Sequence, residues 1–154
     1  EGIPSHYLRN FYRDAYEAIR RHMPSRKVIV FSDSGHPGAW KRFMAGDRYQ
    51  NVVMDLHLYH FRDETARDIT TPRGLAAALG FPVFVGEWSG AAVLAGSSLT
   101  PEGRRAYERV FVSNQLATFD DADGWFFQTW KTERRIAAWD ARVALAPLER
   151  AMME

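Results

Sequence analysis

Asn51-Val-Val-Met-Asp-Leu-His-Leu-Tyr59 alternates two kinds of side chain with a period of two. Successive side chains of a strand point to opposite faces. Val53, Asp55, His57 and Tyr59 therefore share one face, and Val52, Met54, Leu56 and Leu58 share the other. The second face is wholly apolar and suits packing against helices. The first turns polar toward its carboxyl end. A strand buried on both sides but chemical at its tip is the pattern of a parallel strand in an α/β fold.

Working outward, three more segments read as strands. KVIVF (27–31) is a β-branched apolar run stopped by Ser32-Asp33-Ser34-Gly35. PVFVGEW (82–88) places Val83, Val85 and Glu87 on one face, so that a lone carboxylate ends an apolar row. WFFQTW (125–130) follows an acidic turn at 120–124. Between them the spacing predicts helices. Ser5 is expected to cap one running to about His22, with Tyr7, Leu8, Phe11, Ala15 and Ile19 on its apolar side and Pro24 ending it. A short helix is expected over 39–45, another over 73–79 stopped by Gly80, and a third from Pro101 to about Phe119 capped by Thr100. A last amphipathic helix is expected from about Ile136 to Met152, with a break at Pro147. Strand and helix alternate with short links, so the four strands should form one parallel sheet in a single α/β domain spanning 1–154. Four strands do not close a barrel, which takes eight. An open four-stranded sheet is the alternative.

Composition narrows the function. A net charge of +1, with acids and bases interspersed, gives no electrostatic footprint for nucleic acid or an anionic membrane. No apolar run approaches the ~20 residues of a membrane span. With no cysteine, disulfides, thiolate metal sites and a cysteine nucleophile are excluded. Gly35-His36-Pro37-Gly38 lacks the spacing and the lysine of a phosphate-binding loop, and no cofactor is implied. The 14% aromatic content serves either a packed core or a stacking surface for sugar rings.

Polar residues gather just after the strands: Asp33 and His36, then Asp55, His57, Tyr59 and His60, then Glu87, then Gln128 and Trp130. The carboxyl ends of parallel strands are where such folds place their sites. Glu87, flanked by Gly86 and Trp88, is the leading candidate for a nucleophile; the plain alternative is an ion pair with an arginine. His57 and Tyr59 share a face and can reach a neighbouring carboxylate or a sugar hydroxyl, or else form a satisfied buried pair. Asp55 sits deeper and reads as structural. Trp130 can stack on a pyranose, and Phe61 can line an entrance. Trp40, Trp88, Trp125 and Trp139 read as core or helix contacts.

LRNFYRDAYEAIR (8–20), NVVMDLHLY (51–59), VGEWSGA (85–91) and GWFFQTWKTE (124–133), in this order and spacing, resemble glycoside hydrolase family 5, especially its exo-1,3-β-glucanase branch. The resemblance covers the chain up to about Glu133. It implies the C-terminal half, strands five to eight, of a (β/α)8 barrel and a retaining mechanism on β-glucan. It places the nucleophile at Glu87 and substrate contacts at His57, Tyr59, Trp130 and Phe61. The family's acid/base sits in an Asn-Glu-Pro motif, which is absent here; Glu1 precedes Gly2 instead. The FSDS tip (31–34) also departs from the family's His-Asp.

These departures imply a chain without its general acid, inactive alone, and completed by a second copy of itself or by a complementary N-terminal half-barrel. Two other readings compete. One is a non-catalytic carbohydrate-binding or structural half-barrel built on Trp130, Tyr59 and Phe61. The other is a metal-dependent hydrolase using Asp33, His36, Asp55, His57 and His60. Localisation is left open, because an export signal would precede Glu1.

Overall fold

The computed structural model describes residues 2–59, 71–92, 99–120 and 122–146. Four parallel strands run in the order β1 (Ile29–Ser32), β2 (Val52–His57), β3 (Val83–Trp88) and β4 (Trp125–Phe127). Helices α1 (Ser5–Arg20), α2 (Pro72–Leu79) and α3 (Pro101–Phe119) alternate with them, and α4 (Ala141–Ala144) closes the described chain. Sequential parallel order with intervening helices is the topology of half a (β/α)8 barrel. No helix among the described residues is long and apolar enough to cross a membrane.

The even face of β2 is the core. Val52, Met54, Leu56 and Leu58 are all buried there, packed with Phe31, Trp40, Leu79, Val83, Val85, Trp88 and Phe119. Tyr16 of α1 is buried against the start of this sheet. Its hydroxyl donates to Arg48 O at 3.1 Å and accepts the Gln50 N–H at 2.9 Å. Thr71 and Thr100 cap α2 and α3 by accepting from Gly74 N and Gly103 N. Gly80 ends α2 in the left-handed region, φ 85°, where a side chain would be strained.

Several local expectations are corrected. Pro4, not Ser5, holds the N-cap position of α1, and no side chain caps it. That helix ends at Arg20, ahead of the predicted His22. The segment expected as a helix over 39–45 is instead a 3-10 turn at Pro37–Trp40, pinned by the Trp40 indole N–H donating to Asp33 O at 2.7 Å. The fourth strand is three residues long and stops at Phe127. As the edge strand it leaves Trp125 39% exposed, so that residue is not core. The long last helix is replaced by a 3-10 turn at Ala137–Trp139 and the four-residue α4. Asp140 explains the break: its buried carboxylate binds Arg142 at 2.7 and 2.9 Å and accepts Thr132 N–H at 3.1 Å. Arg142 thereby holds the Asp140 carboxyl well below the usual carboxylate range. Residues 147–152 of the predicted helix lie outside the described residues.

Candidate active site

The strand tips of β1, β2 and β3 converge on five polar side chains: Asp33, Asp55, His57, Tyr59 and Glu87. How Glu87 joins them is the main departure from the strand pattern. Strict alternation would put it with Val83 and Val85 on the helix-packed face. The β2–β3 register instead pairs Leu56 with Val85 and His57 with Glu87, skipping Gly86. This one-residue bulge turns Glu87 to the face of His57 and leaves Trp88 fully buried on the other side. Glycine at 86 leaves room for the Asp55 carboxylate, because a Cβ at this position would lie 1.8 Å from Asp55 Oδ1 and displace it.

Around Glu87 the contacts are specific. The Tyr59 hydroxyl donates to Glu87 Oε2 at 2.8 Å. Burial, and then this bond to a carboxylate, push the Tyr59 phenol well above its ordinary value, so it stays a donor through the neutral range. Its ring lies 5.7 Å from that of Trp139, centroid to centroid. His57 Nδ1 is 3.5 Å from Glu87 Oε2, and His57 Nε2 is 3.2 Å from Asp55 Oδ2. The Glu87 side chain is 36% exposed, enough for a ligand to reach it.

Asp33 supports the cluster from β1. It is fully buried, accepts Gly35 N–H at 2.9 Å, and donates its own N–H to Asp55 O at 2.9 Å. Burial pushes its carboxyl above the ordinary range, opposed by the Gly35 N–H and by nearby His57.

The structure thus brings together Glu87, His57 and Tyr59. Trp130 is 70% exposed, three residues beyond the end of β4. Phe61, His60 and Glu1 lie outside the described residues. Among the described residues, no group of three or more His, Asp or Glu side chains is placed to hold a metal ion. His36 is turned to Ser34 O at 3.0 Å and is exposed. Asp55 reads as structural from its depth in the strand, and its carboxylate lies against His57. The available signal was Gly86, since a glycine inside a strand marks a bulge or a close approach.

No protein-family model matches the chain. Among curated proteins, it is 26% identical over 186 aligned positions to a probable glucan 1,3-beta-glucosidase A of Aspergillus clavatus, covering 94% of this chain and 44% of that protein. It is 27% identical over 179 positions to a glucan 1,3-beta-glucosidase of Schwanniomyces occidentalis, covering 90% and 42%. A probable glucan 1,3-beta-glucosidase A of Aspergillus niger is also 27% identical, over 190 positions. The chain spans less than half the length of these relatives.

Proposed function

We propose that this chain carries the nucleophile half of a retaining β-glucan glycosidase site, with Glu87 as nucleophile and the general acid supplied from outside the chain. The observation that carries this reading is the Tyr59 hydroxyl, 2.8 Å from a part-exposed Glu87 at a strand tip. A carboxylate held in this way, at the carboxyl end of a parallel sheet, is set to attack an anomeric carbon. The names of the relatives support β-glucan as the substrate, and the sequence resemblance to glycoside hydrolase family 5 agrees with them.

A retaining pair needs a second carboxyl about 5–5.5 Å from the first, free to protonate the leaving oxygen. Neither neighbouring acid of the described residues is free for that task. Asp55 faces His57, and Asp33 is sealed from solvent. The reading therefore predicts a split behaviour. A dinitrophenyl β-glucoside, whose leaving group departs without a proton, should be turned over slowly. Laminarin, which needs the acid, should react about 10²–10⁴-fold more slowly than in a complete site. Equal inertness toward both substrates at high enzyme concentration would count against Glu87 as a nucleophile.

The partner follows from the sheet's other face. Val30 and Phe126 are 49% and 64% exposed on it, beside Val53 and Phe84. Parallel sheets are normally covered on both faces, and an apolar row of this kind marks an interface. Its occupant is a second copy of the chain or a complementary N-terminal half-barrel. Light scattering at micromolar concentration should give a mass above 17.6 kDa for the chain alone. A sharp monomer would remove the self-assembled form.

One observation favours a second reading. The 70% exposed Trp130 is a ready stacking platform for a pyranose. If the protein only binds sugar, binding will survive Glu87→Ala with no turnover in either protein.

A further inference from the structure

We propose that Asp55 is a positioning residue that fixes the tautomer and orientation of His57, making its Nδ1 an acceptor on the Glu87 side of the site. This rests on the reading of Glu87 as the nucleophile. Asp55 occupies the space that a side chain at position 86 would take: a Cβ there would lie 1.8 Å from its Oδ1 and 2.6 Å from its Cγ. The bulge that turns Glu87 toward His57 thus also makes room for the Asp55 carboxylate. Asp55 Oδ1 is buried and lacks a hydrogen-bond partner among the described residues, while Oδ2 lies 3.2 Å from His57 Nε2. A buried carboxylate oxygen gains most from a donor. The ring proton of neutral His57 therefore belongs on Nε2, toward Asp55.

The consequence lies on the opposite side of the ring. With Nε2 protonated, Nδ1 carries a lone pair and faces Glu87 Oε2 at 3.5 Å. Two acceptors do not bond to each other, so His57 does not donate to Glu87. The Nδ1 lone pair remains available to a hydroxyl of a sugar bound against Glu87. Tyr59 remains the donor to Oε2. The other tautomer would put a second donor on Oε2, the oxygen that Tyr59 already holds. Four groups bear on the choice: Asp55 and Asp33 on the strand side, and Glu87 and, through it, Tyr59 on the solvent side.

Two readouts test this, one of which needs no turnover. Nitrogen-15 shifts of the His57 ring in its neutral form distinguish the two tautomers. The wild-type ring is expected to be Nε2-protonated. Asp55→Ala should lose that preference. Asp55→Asn, whose amide oxygen can accept the same proton, should keep it. Gly86→Ala, which displaces the carboxylate without removing it, should resemble Asp55→Ala. A wild-type ring protonated on Nδ1, or an Asp55→Ala ring like that of the wild type, overturns the proposal.

The second readout is covalent labelling by 2,4-dinitrophenyl 2-deoxy-2-fluoro-β-glucoside, followed by intact mass. Misplacing a reacting group by about 1 Å costs up to ~10²-fold, so Asp55→Ala should label roughly 10-fold to 10²-fold more slowly than wild type, with Asp55→Asn restoring most of the rate. An unchanged labelling rate in Asp55→Ala would also overturn the proposal. If the wild type takes no label, the Glu87 reading fails instead, and the ring spectrum alone decides the role of Asp55. The wild-type spectrum serves that purpose even if Asp55→Ala does not fold.

Discussion

Glu87→Gln is expected to abolish turnover of an activated aryl β-glucoside, with a loss of roughly 10⁴-fold or more, the scale on which removal of a covalent nucleophile acts. Glutamine keeps the shape of glutamate and can still accept the Tyr59 hydroxyl, now 2.8 Å from Oε2. The bulge at Gly86 and the burial of Trp88 are untouched by the change, so the fold should be unaffected. What disappears is the negative charge that attacks the anomeric carbon. The activated leaving group matters to the logic: it needs no proton, so its release in the first turnover reports on the nucleophile alone, whereas later turnovers also need a base to activate water. Pre-steady-state release of dinitrophenol from wild type and variant at equal concentration, with circular dichroism to show equal folding, makes the measurement. If the folded variant keeps the wild-type rate, another group does the chemistry and the proposed nucleophile is wrong.

Much of this site was legible in the sequence because strands announce themselves by period and chemistry by position. NVVMDLHLY shows both faces of β2: the even residues are buried and the odd ones are half-buried on the opposite face. The same rule misled at β3. Alternation through Val83, Val85 and Glu87 assumes an unbroken pleat, and the pleat breaks at Gly86. Period alone does not register a one-residue slip, because a bulge is decided by what lies across the strand pair. Here that is the Asp55 carboxylate, which leaves no space for a side chain.

Helix ends followed local chemistry where a side chain bonds the first turn. Thr71 and Thr100 cap their helices, and Gly80 stops α2. The C-terminal helix failed for a nonlocal reason. Its amphipathic spacing is real, but Asp140 reaches back to Thr132 N and across to Arg142, and those bonds outweigh continued helix. The tertiary partners of a buried carboxylate are invisible to a window of neighbouring residues.

Trp88→Ala should be the most destabilising single change near the site, by about 3–5 kcal/mol. Trp88 is fully buried and makes edge-on contacts with Phe119 at 5.4 Å, Trp125 at 5.4 Å and Phe127 at 4.8 Å. It therefore joins α3, β3 and β4 at one point, and its carbonyl accepts Gln128 N–H at 2.9 Å. Truncation leaves a large cavity where three aromatic rings lose their common partner. For a chain of this size, each kcal/mol moves Tm by about 2–4 °C, so a fall of roughly 6–20 °C is expected. Trp88→Phe should cost much less. It keeps an aromatic ring among the others and removes an indole N–H that has no acceptor among the described residues. The same pair of variants separates packing from chemistry. The bulge at Gly86 turns Glu87 toward His57, and Trp88, its neighbour, anchors the strand tip on the far side of the sheet. Trp88→Ala should therefore slow covalent labelling of Glu87 at temperatures where the variant is still folded, and Trp88→Phe should preserve it. Calorimetry beside intact-mass labelling checks both, and a Trp88→Ala protein with unaltered Tm would show that this aromatic junction does not hold the strand tip.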